Sequence, residues 1–439
     1  MAELQEGSKK DRTGVELFAG AGGLAMAVHR AGFRPLLFNE FAKRACETLA
    51  ANGAQRLPDG QKPIRAPKAN DKVPLVAGDV QELDMDYLAG KVDVLAGGPP
   101  CQPFSLGGVA KGDEDKRNMF PQMFKAVRQI QPKAVICENV RGLLRPSFKP
   151  YFEYIQRELE LPFEERAEGA DWQQHYEYLL ERREKEPDDP KKRYDVVMVP
   201  VNAADYGVPQ IRNRVIIVAF RRDLDVDFDL FKDLVKQTHS ETALFRSLEE
   251  GGEYWERHPD VPAHVKELVL ARLPKTMPMD DGLLPWRTLR DALAGIGDNK
   301  PLPDVPDEWL DRDEHFLGGF TEHIGWPGAR IYDGHTPNEL DRPAKTVKAG
   351  VHGVPGGESV MLLDELVADK TAPSGFKYKH RYMTVRETAR VMTFPDDWEL
   401  RGPRGEKMRQ LGNAVPVALG EVFAKAVAAV LDEAEERQK

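Results

Sequence analysis

Between Thr13 and Phe220, short apolar runs alternate with stretches of helical character, and this alternation limits the possible folds more than any other feature of the chain. Val15–Phe18, Pro35–Phe38, Val73–Val76, Val92–Ala96, Ala134–Cys137, Asp195–Val199 and Arg214–Phe220 read as strands. Leu24–Ala31, Ala42–Asn52 and Asn118–Ile130 read as helices, the last with Met119, Met123, Val127 and Ile130 near helical spacing. The succession predicts an α/β fold, a doubly wound, mostly parallel sheet with helices on both faces. A charged excursion from about 161 to 193 interrupts it, within which Trp172–Lys185 suits a polar surface helix. After Arg222 the alternation stops and Pro, Gly and Asp become frequent, with helical candidates at Ala263–Arg272 and Leu289–Ala294. Thr384-Val385-Arg386-Glu387 has the form of a capping box opening a helix that ends near Met392, and a last helix runs from Val417 to about Glu435. The 439 residues thus divide into an unstructured lead-in (1–12), a first domain (13–222), a second, smaller domain of irregular or β-rich structure (223–380), and a C-terminal part (381–439) returning to the first.

A formal net charge of −10 argues against a surface that is basic all over, but leaves room for a local basic cleft. There is no run of roughly eighteen apolar residues, so no membrane span is expected. The polar N-terminus lacks a secretory apolar core. The three cysteines have no metal-ligand spacing, and no metal is expected; a sparse, odd set suits free thiols in a reducing cytoplasm.

Chemistry concentrates at strand exits. Phe18-Ala19-Gly20-Ala21-Gly22-Gly23 follows a strand and opens a helix, where glycines let the backbone turn tightly and approach a ligand. This segment, with Glu40 at the next strand's end, also fits a loose dinucleotide pattern, so a nicotinamide enzyme is one reading of it. Asp79, after Gly78, suits either an adenine amino group or a solvated turn. Cys101, in Pro99-Pro100-Cys101-Gln102-Pro103-Phe104-Ser105, is either a nucleophile at a strand exit or a small buried residue in a turn. Glu138 stands at the end of its strand, placed to grip a ring nitrogen and amine of a base or to cap the next helix. Gln210, Arg212 and Arg214 alternate, and point to one face if that stretch is extended. Two arginines there need anionic or carbonyl partners, from a ligand or from the protein itself.

In order along the chain stand F-A-G-A-G-G, Glu40, Gly78-Asp79, G-P-P-C-Q-P-F-S, E-N-V, the stretch Asn202–Arg214, T-V-R-E-T-A-R-V-M-T-F-P and L-G-N-A-V-P. This ordered set resembles the DNA (cytosine-5)-methyltransferase family, of bacterial or phage type, over about residues 13–222 and 381–420. The resemblance implies a class I methyltransferase (Rossmann-like) catalytic domain, and places 223–380 where the family carries its target recognition domain. It implies S-adenosylmethionine as cofactor, bound by Phe18, Gly20, Gly22, Gly23, Glu40, Asp79 and Pro99, with Asn413 and Val415 completing the pocket. It makes Cys101 the nucleophile and gives Glu138, Arg212 and Arg214 the target base; Gln102, Ser105, Gln210, Arg342, Thr346 and Lys348 would touch the substrate. Double-stranded DNA is the implied partner of a cytoplasmic monomer, with a cognate restriction endonuclease acting separately. An RNA cytosine-5 methyltransferase on the same scaffold is the alternative.

The chemistry this implies is covalent. Adding a thiolate to C6 makes cytosine C5 enamine-like and able to attack a methyl sulfonium. Glu138 would serve N3 and Arg212 the charge growing at O2. C6 is out of reach inside a duplex, so the base must be flipped out. Gly107–Arg117 follows the nucleophile and is expected to close over the base and meet phosphates.

Overall fold

The computed structural model describes residues 11–100, 118–185, 189–295, 297, 299–309, 316–326, 329–332, 334–349 and 357–439. It divides into two compact units. The first contains the chain up to Val201, Asn213–Lys236 and Gly420–Lys439; the second contains Asn202–Arg212 and Gln237–Leu419.

The first unit is built on eight strands, β1 (Arg12–Leu17), β2 (Phe33–Glu40), β3 (Gln55–Arg56), β4 (Pro74–Ala77), β5 (Val94–Gly97), β6 (Ala134–Val140), β7 (Tyr194–Asn202) and β8 (Asn213–Arg221). Their order is β3-β4-β2-β1-β5-β6-β8-β7. Every pairing from β3 to β6 is parallel, and β8 runs antiparallel to β6. Leu17 pairs with Asn39 and Gly97, Glu40 with Ala77, and Gly97 with Cys137, so four strand exits share one edge. In an open α/β sheet that edge is where ligands bind.

The helices include α1 (Gly23–Arg30), α2 (Lys43–Ala51), α3 (Phe120–Ile130), α4 (Lys149–Glu160), α5 (Trp172–Arg183), α6 (Phe228–Leu234) and most of the C-terminal helix Val417–Arg437. In α3, Phe120, Met123, Phe124, Val127 and Ile130 recur at helical spacing, all are buried, and Pro121 sits in the first turn, where its missing N–H costs nothing. This stripe joins Val15, Leu17, Leu95, Val135, Val215 and Ile217 from one sheet face, and Ile155 and Leu159 from α4, in the main core. Each such fully buried side chain contributes roughly 1.5–3 kcal/mol. The predicted polar helix of the excursion exists as α5. A reciprocal cap starts it: Gln174 N donates to Asp171 Oδ1 (2.8 Å) and Asp171 N to Gln174 Oε1 (3.0 Å).

One boundary matters for the chemistry. The apolar run Ala134–Cys137 ends at Cys137, yet β6 continues to Val140, because Glu138, Asn139 and Val140 pair with Ile216, Val215 and Arg214 of β8. Glu138 therefore lies within a strand and caps no helix.

The second unit is less β-rich than its composition suggests. Among the described residues its strands form three two-stranded pairs, the longest joining Val360–Ala368 to Phe376–Tyr382. Between them lie α7 (Glu241–Ser247), α8 (Glu253–Arg257), α9 (Ala263–Ala271) and α10 (Leu289–Ala294), and after the last strand come α11 (Val385–Val391) and α12 (Arg404–Asn413). Both helical candidates of this region are present, and Thr384 and Glu387 form the expected capping box of α11. The unit borders fall elsewhere than the sequence boundaries. Residues 223–236 stay with the first unit, 381–419 group with the second, and Asn202–Arg212 joins the second as well. Ala204 explains that last assignment, since it packs with Leu244, Tyr254 and Trp286 in the second unit's core. The most apolar helical window, within Arg404–Arg437, has a mean hydropathy of 1.8, and 67% of it is buried inside the protein, as in a core helix.

Candidate active site

The glycine turn is shaped by backbone that ordinary residues avoid. Phe18 (φ 56°), Gly20 (φ 55°) and Gly22 (φ 89°) all take positive φ within five residues, and Gly22 caps α1. Glu40, the last residue of β2, holds this turn. Its Oε2 accepts from Gly20 N and its Oε1 from Ala42 N, both at 2.7 Å. Asn39 Nδ2 donates to Val76 O (3.1 Å) and Gly78 O (3.2 Å), fixing the corner that carries Asp79. Asp79 is half-buried and accepts from Gln81 N (2.9 Å).

Next to this turn lies a polar atom without a partner. Glu16 is buried, and its Oε2 makes no hydrogen bond. Burial, and then the negative charge of Glu40, push its carboxyl well above the usual range. A positive-φ glycine turn, a strand-end carboxylate and an unspent buried carboxyl suit a polar, cationic, ribose-bearing ligand. Phe41 escaped sequence reasoning. It follows Glu40 and is 78% exposed, an unusual position for a large aromatic ring beside a cleft. An aromatic residue directly after a strand-end acid was the available signal.

The exit of β5 meets Glu138. A Cβ placed on Gly98 would lie 3.7 Å from Glu138 Oε2. Asn139 Nδ2 donates to Pro99 O (2.9 Å), and Met119 N donates to Pro100 O (3.2 Å). Pro99 is buried and Pro100 exposed. Arg214 Nε stands 2.7 Å from Glu138 Oε1, within ion-pair range. Its N–H is not aimed at that oxygen, which therefore lacks a true hydrogen bond, and we read the contact as electrostatic. Cys101, Gln102, Ser105 and the stretch Gly107–Arg117 lie outside the described residues. The other two cysteines, Cys46 and Cys137, are free and buried, and burial pushes both thiols up to about 12, with Glu40 adding to the effect at Cys46. Neither is poised to react.

Within the Gln210–Arg214 stretch, Gln210 and Arg212 both reach Val347, while Arg214 turns to Glu138. Gln210 and Arg212 belong to the second unit, and Arg214 to β8 of the first. Gln210 Oε1 accepts from Val347 N (3.1 Å), while its Nε2 faces Met392 Sδ (3.0 Å). Arg212 is 1% exposed. It donates Nη1 to Val347 O (2.9 Å), and Nη2 to Gly412 O (2.8 Å) and Ala414 O (2.9 Å). The guanidinium that the resemblance assigns to the base thus directs its Nη donors at carbonyls of its own unit.

The remaining expected residues are in the second unit. Arg342 pairs with Glu241, lies 5.2 Å over the Phe245 ring, and lines a cavity of about 390 Å³. Thr346 Oγ1 donates to Ile211 O (2.7 Å), which turns its hydroxyl inward. Lys348 is exposed, 3.9 Å from Glu358. Asn413 is exposed at the end of α12 and Val415 is buried. The Gly412 of that segment has a packing reason, since a Cβ there would stand 2.3 Å from Ala349 N.

A glycine turn beside a strand-end acid, on a mostly parallel eight-stranded sheet with one antiparallel strand, defines a class I methyltransferase-like fold. Solved structures agree on the fold. A protein described as a DNA modification methyltransferase encoded within an Escherichia coli prophage aligns over 96% of this chain and 100% of its own, with TM-score 0.53 and 19% identity. Spodoptera frugiperda DNMT2 aligns over 95% and 100%, with TM-score 0.53 and 16% identity. The family of C-5 cytosine-specific DNA methylases matches residues 13–161, 190–278 and 326–429. The chain belongs to this family and is a DNA (cytosine-5)-methyltransferase. Among its relatives, the Type II methyltransferase M.PspPI of Psychrobacter is 30% identical over 96% of this chain and 80% of its own length. M.Eco47II of Escherichia coli is 30% identical over 97% and 81%. These matches remove the nicotinamide reading of the glycine turn.

Proposed function

We propose that the enzyme methylates C5 of a cytosine flipped out of duplex DNA, with S-adenosylmethionine as donor and a transient bond between Cys101 and C6. The observation that carries this reading is the Glu138–Arg214 pair set against Gly98, three residues before Cys101. Phe18, Gly20, Gly22, Gly23, Glu40, Asp79 and Pro99 would hold the cofactor, and the family resemblance adds Asn413 and Val415. The bound cofactor supplies an electrophilic methyl group.

The residues of the chain do the rest. Cys101 adds to C6, which raises electron density at C5. Glu138 holds N3 and the exocyclic amine as charge drains toward the ring nitrogen. Arg214 takes the O2 role. Its contacts with Glu138 and with Asn213 O (2.8 Å, from Nη1) leave guanidinium donors for a substrate oxygen. Loss of the C5 proton and elimination then free the thiol. The protein acts as a cytoplasmic monomer, beside a cognate endonuclease that cuts unmodified sites.

Expression in a methylation-deficient host, followed by bisulfite sequencing, reads the modified base and its sequence context together. The expected result is 5-methylcytosine in one recurring context, lost on Cys101→Ser. Methylation retained in that variant would overturn the covalent route. Transfer to RNA but not to DNA, in a parallel assay with labelled cofactor, would overturn the substrate.

A further inference from the structure

The family match stops at 161 and resumes at 190, so the charged excursion lies outside the matched residues. Yet its helix α5 is not an idle appendage. Leu179 of α5 enters the main core. The Trp172 ring lies 5.2 Å from Tyr151 in an edge-on contact and 5.7 Å from Tyr154, both on α4. The Tyr154 hydroxyl donates to Glu158 Oε2 (2.8 Å) and lies 3.1 Å from His175 Nδ1 of α5. His175 Nε2 in turn donates to Glu164 O at 2.7 Å, since a carbonyl can only accept. Tyr151, Tyr154, Glu158 and His175 are all buried, and such networks persist only when their members are satisfied.

From this cluster a path leads to the reactive edge. Tyr151 Oη accepts from Nδ2 of Asn118, a buried residue. Asn118 Oδ1 accepts from Phe120 N (3.3 Å), at the first residue of α3. Met119, between them, donates its N–H to Pro100 O. Pro100 is covalently joined to Cys101, and Pro99 is anchored independently by Asn139.

We propose that α5 is a positioning element for methyl transfer. Trp172 and His175 fix the Tyr151 and Tyr154 rings, Tyr151 fixes Asn118, and Asn118 with Met119 fixes the Pro100 carbonyl beside the nucleophile. Tyr151 is a positioning residue that acts through Asn118 and touches no substrate. The hydroxyl is the critical group, because a phenylalanine would keep the ring packing while removing the acceptor of a buried amide. The inference rests on the reading of Cys101 as nucleophile and S-adenosylmethionine as donor.

The test uses the full-length enzyme, S-adenosylmethionine carrying a labelled methyl group, and unmethylated plasmid DNA at saturation. Rates are expressed per cofactor-binding site counted by calorimetry, so misfolded protein lowers the site count and not the rate constant. Tyr151→Phe is expected to lower kcat by about tenfold or more with KM for the cofactor unchanged, as a small misplacement of a reacting group does. His175→Gln is expected to lower kcat in the same sense, and the double variant to lose less than the two single losses combined. Asn118→Ser supplies the same readout should Tyr151→Phe fold poorly. A kcat within twofold of wild type in the folded variants, or a loss confined to KM, would overturn the proposal. Wild-type enzyme that transfers no methyl group would instead overturn the functional reading on which it rests.

Discussion

Arg212 and Arg214 stand two residues apart, and in the function proposed above they do opposite kinds of work. Replacing Arg212 by methionine removes the donors for Val347 O, Gly412 O and Ala414 O, three carbonyls on buried residues. Leaving a buried acceptor without a donor costs about 1–3 kcal/mol, so three such losses come to at least about 3 kcal/mol. That is a large share of the roughly 5–15 kcal/mol that holds a typical domain folded. For a unit of this size it corresponds to a fall in melting temperature of roughly 6–12 °C. The molecules that remain folded keep Glu138 and Arg214 intact, so their single-turnover rate per cofactor-binding site stays near that of wild type. Arg214→Met has the opposite signature. A donor aimed at developing charge is worth about 10²–10³ in rate, and that factor is expected to vanish from the single-turnover rate per site. Differential scanning calorimetry and quench-flow methyl transfer on both variants separate the outcomes. An Arg212→Met protein that melts with wild type but loses its rate would refute the reasoning, as would an Arg214→Met protein of undiminished rate.

Three further outcomes follow from local geometry. Glu40→Gln sets an amide group against one of the two N–H donors, Gly20 and Ala42, so cofactor affinity measured by calorimetry is expected to fall about 10–100-fold; unchanged affinity would contradict the role of Glu40. Gly97→Ala places a methyl 2.8 Å from Leu17 O and is expected to destabilise by about 1–3 kcal/mol, whereas Gly98→Ala meets only ordinary contacts at 3.7 Å and should melt as wild type does; equal melting of the two would count against the register of β1 and β5. Burial, and then Arg287, lower His239 from its usual 6.5 to about 4, so the unfolded chain takes up this proton at a higher pH than the folded one. Its contribution is complete above pH 6.5 and is lost as pH falls toward 4. Urea titrations across that window should show a shallower pH slope for His239→Gln, and an identical slope would dismiss the effect.

The sheet was legible because its strands are short apolar runs with helices between them, a pattern set by burial on both faces. Strand ends were harder. β6 outruns its apolar stretch because Glu138, Asn139 and Val140 pair with a β8 that lies about eighty residues further along the chain. The glycine turn and Glu40 could be read because glycine turns and strand-end acids are local signals. The division of labour between Arg212 and Arg214 could not, because it depends on residues 347, 412 and 414, far away in sequence. The excursion looked like a polar surface helix, and α5 is polar over much of its length. Its purpose rests on Trp172, His175 and Leu179, whose partners lie on α4 and in the core.

The assignment of Asn202–Arg212 to the second unit bears on how such enzymes can be recombined. A designer exchanging second units between relatives would cut after β8, near 223, and retain everything before it. Such a chimera would leave its arginine clasp in the host, facing carbonyls that the incoming module was never shaped to offer. The portable cassette is discontinuous. It consists of an eleven-residue ribbon, Asn202–Arg212, together with Gln237–Leu419, and the transplant seam falls between two arginines separated by a single asparagine.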